Sequence, residues 1–393
     1  MRATRRHEWK LDRPAGQRLP PLAGSQLDPP VVTSVYYDVP GGSLAAAGIS
    51  LRCRTGQGRT VWQLTLPADG SRLELEEDGA PLQPPPGFLA LLRAHLRHGP
   101  PEPVAELRST RRIAVEDAVG TEPPPRSPLE ELRARLRHQL LQIERHDPGT
   151  RLGRDPESLH DMRVAVRRLR ALLRAGRELV ASDTGELEER LKQLGGVLGE
   201  VRDLDVLLAR LETAAAELGG KDAQRAGPLL ATLRTERSCS RSRLLGALRS
   251  DTYLALLDDT ARAIGELEPS GSSVTLDELP DAAVGKMRKS VRRLSAEPAD
   301  EELHAVRKKG KRVRYAAELA GRRKLVQRAK KLQDVLGEHQ DAVVAAERLR
   351  DLAMAAAPQQ ALVAGRLVER EERRRSEARA AWPEAWRKLR NAI

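Results

Sequence analysis

Residues 158–179 read SLHDMRVAVRRLRALLRAGREL, and a related run, ELHAVRKKGKRVRYAAELAG, returns at 302–321. At one constant offset His160 matches His304, Arg163 matches Arg307, Arg167 matches Lys311, Arg168 matches Arg312 and Arg170 matches Arg314. On a helix, positions i, i+3, i+7 and i+10 fall in one narrow stripe. Each copy therefore places a histidine and a ladder of cations on one face. Leu159, Met162, Val166, Leu169 and Leu173 form a separate apolar stripe, displaced by about 100°. The cations thus border the seam along which the helix packs, where a groove between helices opens. Ordinary amphipathic helices with solvated arginine faces are the alternative. Repetition of the same histidine and the same cation positions weighs toward a site. So does poor neutralisation, since Asp161 is the only acid between His160 and Arg177 and few i,i+4 pairs can form. The chemistry that suits such a ladder is polyanion binding, through charge-assisted and partly bidentate contacts.

The elements that must position these residues are helices. Asp155-Pro156 supplies an N-cap and a first-turn proline immediately ahead of the basic segment. A second repeat supports an internal duplication: LGGVLGEVRDLDVLLARL at 194–211 aligns with LQDVLGEHQDAVVAAERL at 332–349. Its Leu-Gly-Glu and the following acid fall at Gly199 with Asp203 and at Gly337 with Asp341, and Lys192 matches Lys330. A glycine inside a helix costs about 1 kcal/mol against alanine. Its return in both copies is read as close helix approach or as a tolerated bend. The copies are not chemically equal, because Glu318 stands where the first has Arg174.

With 393 residues the chain exceeds one ordinary core and predicts two or three domains. Aromatics are 2% and charged residues 32%, so leucine, valine and alanine must build the core, and the mixture favours helical bundles. A net charge of +12 predicts an anionic partner: nucleic acid, a phosphate polymer or an acidic membrane surface. Cys53 and Cys239 read as incidental reduced thiols. No signal-peptide pattern or run of 18 apolar residues occurs, so a soluble cytoplasmic protein is expected.

Residues 1–118 have a different texture. Strands are predicted at 31–37, 48–54, 60–66 and 72–76, a short helix at 87–96, and one or two strands over 104–115, giving a small antiparallel α+β module. A Pro-rich linker follows at 119–128. From 129 onward helices are expected at 129–146, from Asp155, and at 186–218, 228–248, 252–264, 281–295, 300–319, 324–354 and from 358 onward. This divides the helical region into a first bundle at 129–267 and a second at 281–393.

The stretches HDMRVAVRRLRALLR (160–174) and LGEVRDLDVLL (198–208), with their degenerate second copies, resemble the CHAD family, the conserved-histidine α-helical domain. That resemblance implies two pseudo-symmetric four-helix bundles around a basic groove, which bind inorganic polyphosphate and associate with polyphosphate granules. By position it assigns binding roles to His160, Arg163, Arg167, Arg170 and Arg174, and to His304, Arg307, Lys308, Lys311 and Arg314. Arg168 and Arg312 match the motif, although the helical wheel turns them away from the stripe, and Lys192 and Lys330 join as repeated cations. The front of the chain resembles the CYTH module through Tyr36-Tyr37-Asp38, GISLRCRTG (48–56) and VWQLTLP (61–67). CYTH domains are tunnels that bind or hydrolyse triphosphate-type ligands with divalent metal. Here the module is shortened, Arg6 replaces the first carboxylate of the ExExK signature, and Thr65 stands where the related pattern has lysine.

A residual triphosphate or metal site would comprise Glu8, Lys10, Arg52, Arg54, Glu74 and Glu76, with Mg²⁺ or Mn²⁺ needed only if that module is active. The degraded signature argues against catalysis, and no P-loop, GxSxG elbow or CxxC pair is present. The expected function is polyphosphate binding at granules without a cofactor. The alternatives are a CYTH-type triphosphatase and a non-specific nucleic-acid binder. The scarcity of aromatics along the stripe, Tyr315 excepted, argues against the last.

Overall fold

A computed structural model describes residues 2–6, 32–56, 59–68, 71–109, 127–271 and 275–392. The strands are β1 (Arg2–Arg6), β2 (Val32–Asp38), β3 (Ser50–Gly56), β4 (Arg59–Ala68), β5 (Ser71–Asp78) and β6 (Glu102–Ser109). Short helices α1 (Ser43–Ala46) and α2 (Pro86–Leu91) lie among them. The sheet is antiparallel in the order β1-β5-β4-β3-β2-β6. Period-two alternation sends Leu51, Cys53, Trp62, Leu64 and Leu75 to one face, where Leu44, Ile49, Phe88 and Leu92 cover them. The helix predicted over 87–96 is shorter, ending at Leu91 before a 3₁₀ turn at Leu96–His98.

The remaining helices are α3 (Pro128–Leu152), α4 (Pro156–Ala175), α5 (Gly185–Leu218), α6 (Gly220–Arg249), α7 (Asp251–Gly265), α8 (Glu278–Val291), α9 (Asp300–Leu319), α10 (Arg323–Met354) and α11 (Pro358–Arg390). Their starts follow local chemistry. Ser127 and Glu130 cap α3 reciprocally, at 2.8 and 3.3 Å. The Asp155 carboxylate accepts the Glu157 N–H at 3.1 Å ahead of α4, and the Glu302 carboxylate accepts the Ala299 N–H at 2.8 Å ahead of α9. No helix among the described residues is long and apolar enough to cross a membrane.

The chain forms two compact units: residues 1–125 with 141–165, and residues 126–140 with 166–393. This differs from the division at 118 and 129, and the reason lies in α3. The Asp147-Pro148-Gly149 sequence, where the helix was expected to have stopped at 146, is carried through to Leu152. Asp147 is fully buried and pairs with Arg151 at 2.6 Å, one turn on. Gly149 packs so tightly on the Ser158 side chain that a Cβ there would overlap it. Within this first unit Leu141 and Leu152 rest on the apolar core of the sheet. His95, fully buried, lies 3.1 Å from the Glu144 carbonyl through Nε2 and 3.2 Å from the Ser43 hydroxyl through Nδ1. A carbonyl only accepts, so Nε2 carries the proton and Nδ1 accepts from Ser43. The second half of α3 thus completes the N-terminal core.

In the second unit one core joins α8, α9, the first half of α10 and the end of α11, through Met287, Val306, Leu332 and Trp382. Another draws on both copies: Leu207 and Leu211 of α5, Leu230 and Leu233 of α6, Leu349 of α10, and Val363 and Leu367 of α11. The boundary placed between 267 and 281 therefore separates the copies but not the cores.

Candidate polyanion-binding site

Within the second unit, the C-terminal part of α4 meets α9. Arg167 Nε donates to the Tyr315 hydroxyl at 3.0 Å, and Arg168 lies 3.9 Å from Glu318. Two successive arginines of α4 thus reach the same neighbouring helix. Arg167 belongs to the stripe. Arg168, turned aside as the helical wheel requires, lines an open cleft of about 820 Å³ with Arg135, His138, Glu318 and Arg323.

Further along α4 the cations divide by partner. Arg174 donates to Glu188 at 2.7 Å, and Arg177 to the other oxygen of the same buried carboxylate at 2.7 Å. Burial, then these two hydrogen bonds, act on Glu188 in opposite senses, and the guanidiniums win, holding it below the usual carboxylate value. Arg170 has no such hydrogen-bonded anchor among the described residues: burial, and then the charge of Arg174, lower its pKa against the pull of Glu188 and Glu189. Lys192 on α5 is exposed and pairs with Glu189 at 2.9 Å, while its counterpart Lys330 on α10 is exposed.

On α9 the arrangement is more concentrated. His304 is half-buried, and burial, then Lys308, push its pKa down; Arg307 and Lys311 push the same way, and the Gln340 side chain acts in the opposite sense. Its Nδ1 is buried with no hydrogen-bond partner among the described residues. Three cations thus bear on one imidazole. The Arg307 guanidinium lies over Gly337, 3.5 Å from where a Cβ would stand. In this copy the repeated glycine lies beside a cation of the stripe, at a distance where a Cβ would make ordinary van der Waals contact. The Asp341 carboxyl is within electrostatic reach of Arg307 and Arg210, and of the acids Glu338 and Asp203. Lys308 and Arg312 are exposed. Arg314 is anchored by Glu318 at 3.1 Å and Gln333 at 3.0 Å, with its guanidinium 5.0 Å from the Tyr315 ring centre.

His160 and Arg163 lie on α4 within the first unit, both half-buried, and each has an interaction partner. Sequence reasoning missed the groups that hold the cations in place, namely Glu188, Gln333 and the Tyr315 hydroxyl. Only the i,i+4 spacing of Arg314 and Glu318 carried a readable signal.

In the sheet, Tyr36, Arg52, Gln63, Glu74 and Glu76 share the polar face. Arg52 donates to Gln63 at 2.7 Å and to Tyr36 at 3.1 Å and lies 3.4 Å from Glu74, while Gln63 donates to Glu76. Arg54 is placed on the same face by its pairing with Ser34 and Val61. Glu8 and Lys10 lie outside the described residues. Arg52 and the two glutamates are thus tied to one another, and no group of three or more metal-ligating side chains occurs among the described residues.

The family comparisons accord with this geometry. The CHAD domain matches residues 134–350. Two Mycobacterium tuberculosis proteins described as uncharacterised are similar: MT2285 of strain CDC 1551 / Oshkosh and Rv2226 of strain ATCC 25618 / H37Rv. Each is 32% identical over 289 residues, which cover 68% of this chain and 55% of that protein. The chain therefore spans about half the length of these relatives. Among solved structures, PptA from Streptomyces chartreusis aligns with a TM-score of 0.57 at 26% identity, covering 66% of this chain and 99% of that one. The CHAD domain from the plant Ricinus communis aligns with a TM-score of 0.56 at 26% identity, covering 67% and 92%. With half of its length matched by the family and its helical fold shared with a solved member, the chain belongs to the CHAD family.

Proposed function

We propose that this protein binds inorganic polyphosphate through the repeated basic stripes, at granules of that polymer. The observation that carries the reading is the convergence of Lys308, Arg307 and Lys311 on His304. A polyanion laid along such a group of cations is held by several charge-assisted contacts at once. Polyphosphate carries about one charge per phosphate along a flexible chain, which a ladder of cations can follow without reading bases. Membership of the CHAD family and the Arg167–Tyr315 junction between α4 and α9 support the same assignment.

The test is isothermal titration of the full chain with long polyphosphate, triphosphate and single-stranded oligonucleotide at several salt concentrations. If the stripe acts as a unit, long chains bind more tightly than triphosphate through effective concentration. Polyphosphate also competes out the oligonucleotide. Salt sensitivity alone does not separate these ligands, because both release counterions. Substituting Arg307 and Lys311 by alanine is compared with substituting the exposed Lys221 and Arg249. Equal losses in the two variants would mean that affinity follows net charge alone, and the stripe would have no role.

A further inference from the structure

A second hollow, of about 500 Å³, opens where the ends of α8 and α11 meet, lined by Arg288, Val291, Arg292, Trp386, Arg390 and Asn391. Among the described residues that line it are three arginines and no acidic side chain. The acid near the end of α11, Glu384, is already engaged by Arg387 at 2.6 Å and Lys388 at 3.2 Å. Arg288 Nε is buried without a hydrogen-bond partner among the described residues. Helix macrodipoles favour a cation in the last turn of each helix. That effect does not by itself gather three arginines round one hollow. Guanidinium forks match the oxygens of a phosphate bidentately, and three of them suit an anion of at least two charges. The size falls in the range of small-molecule sites. Val291 and the Trp386 indole add an apolar wall.

We infer that this hollow is a separate site for a small diphosphate-bearing anion, with room beside Val291 and Trp386 for an attached organic group. It involves none of the stripe residues, and it stands whether or not the stripes bind polyphosphate.

The experiment titrates the full chain with inorganic pyrophosphate and with ADP, following heat and tryptophan fluorescence. The variants are R288Q, the double variant R292Q/R390Q, W386F and R307A/K311A. Arg292 and Arg390 are exposed, so their exchange leaves the fold intact, which circular dichroism checks. The expected result is a diphosphate-binding event weakened about ten-fold or more by R288Q, the loss of one charge-assisted contact, and at least as much by R292Q/R390Q, the loss of two. R307A/K311A leaves that event in place, and the fluorescence change disappears in W386F. Tighter binding of ADP than of pyrophosphate identifies an organic phosphate as the ligand, and equal binding identifies the diphosphate group alone; either supports the site. Absence of binding by both probes at millimolar concentration overturns it, as do unchanged affinities in R288Q and R292Q/R390Q. Binding removed only by R307A/K311A would place diphosphate on the stripe, sinking this site while leaving the polyphosphate reading in place.

Discussion

The two copies of the duplicated unit put the same residue types at matching positions and then spend them differently. Arg210 of α5 corresponds to Arg348 of α10. Arg210 bonds Glu371 of α11 at 2.7 Å and Glu338 of α10 at 2.7 Å, and Glu371 is fully buried. Arg348 pairs with Glu236 of α6, whose side chain is 38% exposed. Each arginine thus reaches a helix of the other copy, but only one meets a carboxylate removed from water. The basic helices diverge likewise. On the α4 side Arg174 is spent on Glu188, whereas on α9 Lys308, Arg307 and Lys311 crowd one histidine. Duplication copied the cations; the neighbours decide which of them is tied to a buried carboxylate and which lies beside a histidine.

The largest expected effect tests the packing role. Arg210→Ala leaves buried Glu371 with only Arg374, 3.1 Å away, among the described residues, and should cost about 3 kcal/mol of stability. Arg348→Ala, at the solvated counterpart, should cost roughly 1 kcal/mol or less. Urea denaturation of the two variants checks the contrast, and equal losses would erase it.

Next comes the ligand role. Arg307→Ala with Lys311→Ala should weaken long-chain polyphosphate by on the order of 100-fold, at about 1.5 kcal/mol or more for each charged contact. It should also flatten the salt dependence, each lost phosphate contact lowering the slope by up to about 0.7–0.9 if nucleic-acid values transfer. Arg174→Ala should change affinity by only about two-fold, because that arginine already serves Glu188. If Arg174→Ala proves as damaging as the α9 pair, the division between the copies fails.

A third expectation concerns pH. His304 is held below the ordinary imidazole value by burial and by its cationic neighbours, and a bound phosphate favours its charged form. Its pKa is therefore higher in the complex than in the free protein. Affinity should rise as pH falls through the pKa of the complex, and level off below that of the free protein. Titrations in buffers of different ionisation heat should show proton uptake on binding, lost in His304→Gln. An unchanged proton count in that variant would remove the histidine from the site.

The smallest effect lies outside the duplicated copies. Burial holds His95 below the ordinary imidazole value, more strongly than Glu144 and Asp147 raise it. The unfolded chain therefore takes a proton first. Stability of the N-terminal unit should be full above about pH 6.5 and decline as pH falls through that value toward the folded pKa. Hydrogen exchange of the sheet amides at pH 7.5 and 5.5 reads this slope, which His95→Gln should reduce.

The amino-acid sequence by itself determined the helices, the repeat and the stripes. Each follows from spacing along a single helix: α9 begins and ends where predicted, at Asp300 and Leu319, because caps and amphipathic period are local. Tertiary structure alone decided what lies across each face. The Asp147-Pro148-Gly149 stretch stayed helical because Asp147 found Arg151 and Gly149 fitted against Ser158, so α3 could complete the N-terminal core. Arg174 found Glu188 on the next helix, while Arg167 found Tyr315 and Arg210 reached a helix of the other copy, both across a long stretch of chain. Helical spacing fixes the direction in which a side chain leaves its own helix. Whether a carboxylate, a hydroxyl or water waits there depends on which distant helix packs alongside, and that was settled by burying leucine stripes from both copies in shared cores.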